Sequence, residues 1–120
     1  MSISQGDIWL VNFEPSVGSE IKKARPCVVV NDDRIGRFGI KVVLPITEWK
    51  EYYVDYPWLI KIEPDSKNNL SKTSTIECFQ IKSFSEDRFI KKIGKIDKDI
   101  LLFAHKTILK ILNPTYEIKE

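Results

Sequence analysis

Apolar and polar residues alternate over short stretches through most of the chain, then recur every three or four residues near its end. That change of period separates a β-rich body from a helical tail. Residues 8–13 are rich in β-branched and aromatic side chains and lie between Gly6 and Glu14-Pro15, which predicts a strand. Residues 16–24 form a loop. Residues 27–30, Cys-Val-Val-Val, are continuously apolar and too short for a helix, so they predict a buried central strand. A turn follows over 31–39, with Asp32-Asp33 and two glycines. The third strand, 40–47, contains Pro45, which has no N–H for a ladder and so marks an edge or a bulge near the strand's end. Thr47 falls where this strand gives way to a loop.

Two further strands are predicted over 58–62 and 73–81, separated by the turn-like connector EPDSKNNLSK. Residues 89–96 predict another short strand with Gly94 as a bulge, in competition with a helical turn at 86–89. From Asp97, the expected N-cap, the positions Ile100, Phe103, Ala104, Ile108, Ile111 and Leu112 form an apolar stripe that ends at Asn113-Pro114. This predicts an amphipathic helix of about four turns packed on the strands. The fold class is therefore mainly β (α+β): a small barrel or strongly coiled sheet of roughly five to seven short strands with a C-terminal amphipathic helix. No repeat or linker divides the chain, so residues 1–120 are expected to form a single domain.

The 120 residues are 42% hydrophobic and 30% charged, which places the chain among globular proteins rather than disordered or membrane ones. No apolar run approaches the length that spans a bilayer, and MSISQGD lacks the basic head and apolar core of a signal peptide, so a cytoplasmic location is expected. Cys27 and Cys78 lie in predicted strands and suit apolar packing as free thiols. Together with the single His105 they do not make a four-ligand metal framework, so neither a metal nor any other cofactor is expected. His105, beside Leu101, Ile108 and Leu112 on the helix, suits packing better than catalysis.

The net charge is only +2, but six basic residues, Lys22, Lys23, Arg25, Arg34, Arg37 and Lys41, cluster against Asp32 and Asp33. Such a patch attracts phosphates or an acidic partner, and a solvated loop face is the competing reading. Arg25 stands at the threshold of a strongly apolar strand, where a charge is expensive to hold without a partner, so it is expected to be aimed at an anion. If the second and third strands are neighbours, Arg25 and Thr47 approach each other at one rim. A guanidinium fork and a hydroxyl together suit a phosphodiester and the charge that builds on its oxygens during displacement. Glu20, in the first loop, is a candidate acceptor for a ribose hydroxyl proton. An Arg25–Glu20 salt bridge is the structural alternative.

The segments GDIWLVNFEPSVGSE, KKARPCVVV, VLPIT, NLSKTSTIECFQIKSF and KKIGKID, in this order, resemble the MazF/PemK family of toxin endoribonucleases over nearly the whole chain. The resemblance implies an SH3-like barrel that forms a homodimer. It also implies metal-independent cleavage of single-stranded messenger RNA at short motifs, and a cognate antitoxin whose acidic, flexible segment covers the RNA groove. By position, Arg25 and Thr47 match the family's catalytic pair and Glu20 matches a loop acid near the scissile phosphate. Ser19 and Gln80 match positions nearer to RNA binding, where Lys22 and Lys23 of the basic patch also belong.

One stretch departs from the family pattern. After Thr47 the chain reads EWKEYYVDYPWLIKI, where shorter, less aromatic loops are usual. Trp49 and Tyr52 are candidates for stacking on unpaired bases, and packing on the barrel or at a dimer contact is the alternative, favoured for Trp58. Two other functions compete with the nuclease: a non-enzymatic, CcdB-like gyrase poison on the same barrel, and a nucleic-acid-binding barrel without catalysis.

Overall fold

The computed structural model describes residues 2–35 and 38–113. Seven strands, β1 (Asp7–Asn12), β2 (Ala24–Val29), β3 (Ile40–Glu48), β4 (Leu59–Ile62), β5 (Ser74–Glu77), β6 (Lys82–Ser85) and β7 (Phe89–Lys95), precede one helix, α1 (Lys98–Leu112). The strands pair antiparallel in the order β4-β5-β3-β2-β1-β7, with β6 alongside the first half of β3. The result is a strongly coiled, barrel-like sheet that is not closed, capped by the C-terminal helix.

β3 is the organising strand. It pairs with β6 through Ile40 to Val43 and with β5 through Ile46 to Glu48, while Val43 to Pro45 pair with β2 on the other side. Pro45 is thus not at an edge. It is fully buried opposite Cys27, in the interval where β3 has left β6 and not yet met β5. A residue without an N–H suits the place where a strand changes neighbours.

Successive side chains of β1, β2 and β3 point to opposite faces, and both faces are buried. On one, Ile8, Val28, Val30, Leu44, Ile46 and Ile76 pack with Ile100, Leu101, Ala104, Ile108 and Ile111 of α1. On the other, Trp9, Val11, Phe13, Cys27, Val29, Val43 and Phe89 form a second cluster. Double-sided burial explains the unbroken apolar run at 27–30, since each buried aliphatic contributes about 1.5–3 kcal/mol and no position is left for a polar residue. Both thiols are free and buried, and burial pushes Cys78 up to about 12 and Cys27 higher still.

The helix stripe is narrower than its periodicity suggests: Phe103 and Leu112 are more than half exposed. Asp97 occupies the N-cap position but its carboxylate binds Lys67 Nζ at 2.8 Å instead of capping. His105 Nε2 lies 2.9 Å from the Val30 carbonyl, a packing role that ties α1 to the sheet. No helix among the described residues is long and apolar enough to cross a membrane.

Both readings of residues 86–96 coexist. A 3-10 turn, Glu86–Arg88, leads straight into β7. The β1–β7 register then shifts from Trp9 opposite Lys92 to Ile8 opposite Gly94, the bulge expected at this glycine. A Cβ on Gly94 would lie 2.3 Å from the Lys67 carbonyl oxygen, so only glycine lets the 63–70 connection approach β7 this closely.

Candidate functional site

Two carboxylates shape the connection between β1 and β2. Phe13 N–H donates to the Lys23 carbonyl at 2.8 Å and Lys23 N–H donates to Glu14 Oε2 at 2.6 Å, which closes the loop at its base. Within it, Val17 N–H donates to Glu20 Oε1 at 2.7 Å, and Ile21 N–H donates to Gln80 Oε1 at 2.8 Å. The loop is therefore strapped to the turn after β5. Lys23 has a left-handed backbone, φ 68°, and turns the chain into β2, where Arg25 is the second residue.

Arg25 corrects one premise of the sequence reading. It is exposed, so its charge is solvated rather than stranded at the edge of the core. Its Nε donates to the Lys22 carbonyl at 3.2 Å, which fixes the guanidinium's orientation. Its two terminal nitrogens make no hydrogen bond among the described residues and form a free fork.

β2 and β3 are neighbours, as the rim hypothesis requires. Cys27 pairs with Pro45. The ladder runs from Val29–Val43 to Cys27–Pro45, and Arg25 and Thr47 each lie two residues past that last pair, positions that face one another if the register continues. Thr47 in turn pairs with Thr75 of β5. Thr47 is half-buried, and its hydroxyl has no partner among the described residues. Thr75, which the sequence reading passed over, is fully buried and its Oγ1 is also without a partner.

Glu20 does not bridge to Arg25. Lys82 of β6 binds its Oε2 at 2.5 Å, and this hydrogen bond, helped by the Val17 amide, holds the Glu20 carboxyl below its ordinary value. The acid is thus ionised at neutral pH and able to accept a proton. Ser19, Glu20, Phe79, Gln80, Ile81 and Lys82 line an open groove of about 460 Å³. Lys82 and Phe79 are the residues that sequence reasoning missed here. The sequence predicts one strand over 73–81, whereas the Glu77 side chain accepts from Phe79 N–H at 2.9 Å and β5 ends in the 3-10 turn Cys78–Gln80.

The basic patch divides. Lys22 and Lys23 are exposed beside Arg25, whereas Arg34 is paired with Asp32 at 2.6 Å, which pulls Asp32 down to about 2. Arg37 lies outside the described residues. The aromatic stretch forms a 3-10 turn, Glu51–Asp55, over the β3–β4 connection. Trp49 is half-buried, with Lys61 Nζ 5.3 Å above its ring and Tyr53 edge-on to it. It lines a separate cleft against Phe103, Thr107 and Lys110 of α1. Tyr52 is 62% exposed. Among the described residues, no group of three or more His, Cys, Asp or Glu side chains is placed to hold a metal ion.

Residues 4–112 match the family model described as PemK-like, MazF-like toxin of type II toxin-antitoxin system. Endoribonuclease MazF9 of Mycobacterium tuberculosis is 30% identical over 99 residues, 77% of this chain and 80% of that protein. Endoribonuclease EndoA of Bacillus subtilis is 24% identical over 101 residues, 84% and 86% of the two chains. Solved structures share the fold: MazF from Deinococcus radiodurans has a TM-score of 0.77 at 19% identity, covering 95% of this chain and 99% of that one. An endoribonuclease from a mycobacterial species, in complex with its cognate antitoxin, has a TM-score of 0.74 at 12% identity, covering 97% and 100%. The coiled sheet, the strapped loop before an Arg-Pro strand and the match over almost its full length together make this chain a member of the PemK-like, MazF-like toxin family of type II toxin-antitoxin systems.

Proposed function

We propose that this toxin-family endoribonuclease cuts single-stranded messenger RNA at a rim formed by Arg25 and Thr47. The observation that supports this reading is the pairing of β2 with β3 through Cys27–Pro45, a register that, continued by two residues, would turn the Arg25 guanidinium toward the Thr47 hydroxyl. The ribose 2′-oxygen attacks the adjacent phosphorus and gives its proton to Glu20. The bond from phosphorus to the 5′-oxygen breaks, that oxygen takes a proton from solvent water and leaves as a 5′-hydroxyl, and the other fragment keeps a 2′,3′-cyclic phosphate; Glu20 returns its proton to solvent. Arg25 stabilises the charge that develops on the non-bridging oxygens, and the Thr47 hydroxyl donates to one of them. Lys22 and Lys23 hold neighbouring phosphates, and Ser19 and Gln80 meet the bases beside them. Because the guanidinium supplies the positive charge, the reaction runs without a metal.

The same groove suits the acidic tail of a cognate antitoxin, which competes with RNA for the cations and folds as it binds. The mycobacterial neighbour bound to its antitoxin supports this partner. A homodimer in the cytoplasm completes the reading. Incubation of the purified protein with RNA of varied sequence in EDTA tests it: cleavage with the stated ends supports the nuclease, whereas binding without products fits a non-catalytic barrel, and neither binding nor products fits a gyrase poison.

A further inference from the structure

Six aromatic rings run without a break from the β3–β4 connection to the groove that holds Glu20. Trp49 meets Tyr53 at 5.7 Å and Tyr53 meets Tyr52 at 4.9 Å and Tyr56 at 6.4 Å, between ring centres. Tyr56 stacks on Trp58 at 5.2 Å, and Trp58 lies 6.4 Å from Phe79. Phe79 ends the run. It stands in the groove wall with Ser19, Glu20, Gln80 and Lys82, and it also borders a second cleft with Trp58 and Ile111.

Phe79 is 65% exposed, on a turn whose backbone is fixed by the Glu77 side chain. One exposed apolar ring is ordinary on a protein surface. This one closes a run of five others and forms a wall shared with polar and charged groups, which suits a ligand with a flat face and a polar edge. An unpaired nucleobase has that shape, and its stacking on an aromatic side chain tolerates any sequence while edge contacts select one. Gln80 can supply such a contact: its Oε1 is taken by Ile21 N–H, so its amide N–H groups are the ones left to face an acceptor on the base. A purely apolar peptide would leave Ser19, Glu20 and Lys82 without use.

We propose that Phe79 is a stacking platform for one unpaired base next to the cleaved phosphate, and that with Gln80 it sets the base preference at that position. This rests on the endoribonuclease reading and adds a specificity-determining residue to it. The test compares the wild type, Phe79→Ala and Phe79→Trp on an RNA pool of varied sequence. Three readouts are taken: kcat and KM separately, base frequencies around the cut, and sedimentation of each protein. Removing the ring should raise KM about tenfold or more, the size of effect one stacked base supplies, and flatten the preference at one position. Phe79→Trp should restore both. Unchanged KM and preference in Phe79→Ala would overturn the stacking role alone, as would a loss that tracks altered sedimentation and is not rescued by tryptophan, which would make Phe79 a packing or subunit contact. A wild-type protein that cuts no RNA would overturn the stacking role together with the nuclease reading.

Discussion

Lys82, and not Arg25, pairs with the Glu20 carboxylate, donating to Oε2 at 2.5 Å. The ion pair joins β6 to the β1–β2 loop, and it lowers the proton affinity of the group assigned as acceptor. A depressed carboxyl keeps its ionised form, and the stabilisation that comes with it, above the ordinary value, and loses both as pH falls through the lowered one. For wild-type cleavage, the acid limb due to Glu20 therefore lies below the ordinary glutamate value of 4.5. Lys82→Met should move that limb to higher pH, measured as kcat/KM against pH. An unmoved limb would remove Glu20 from the proton transfer.

Arg25 is exposed, and its side chain donates only to the Lys22 carbonyl among the described residues. Arg25→Ala should leave the melting temperature nearly unchanged and lower kcat by about 10²–10³-fold, the loss typical of a group that stabilises transition-state charge. Arg25→Lys keeps the charge but not the fork, and should fall between the two. Thr47→Val preserves shape and removes the hydroxyl. A hydrogen bond to a charged group contributes about 1.5–3 kcal/mol, so kcat should fall by about one to two powers of ten. Single-turnover cleavage of one RNA by the three variants, with thermal melting of Arg25→Ala, checks these.

Gly94 tests the fold rather than the chemistry. With Lys67 O at 2.3 Å and Asn68 O at 2.8 Å from a built Cβ, Gly94→Ala must push backbone against backbone. Overpacking of this kind costs about 1–3 kcal/mol, so the urea midpoint should drop while the product ends stay the same. A midpoint equal to wild type would mean that the 63–70 connection yields freely.

Much of this arrangement was legible in the chain. The valine run, the third strand, the bulge at Gly94 and the helix from Asp97 follow from periodicity and backbone chemistry, because burial and missing donors act locally. The rest depends on neighbours. Pro45 reads as an edge residue because sequence cannot show that β3 exchanges β6 for β5 beside it. β6, Lys-Ser-Phe-Ser, is short and polar, and it pairs with β3 beyond the turn that Glu77 caps. The sequence points to Arg25, Thr47 and Glu20 as candidates but not to the partners of Glu20, since Lys82 reaches it across 62 residues of chain. Arg25 itself needs no buried counter-charge, as it stands in water.

The chemistry at phosphorus is tested most directly by the ends it leaves. Purified protein is incubated with RNA in EDTA, and the termini of the fragments are mapped by their reactivity with polynucleotide kinase, with and without prior removal of cyclic phosphate. A 5′-hydroxyl on one fragment and a 2′,3′-cyclic phosphate on the other, formed about 10²–10³-fold more slowly by Arg25→Ala, is the predicted result. Fragments carrying 5′-phosphate and 3′-hydroxyl ends, or the same ends from the Arg25→Ala protein at wild-type rate, would contradict the account.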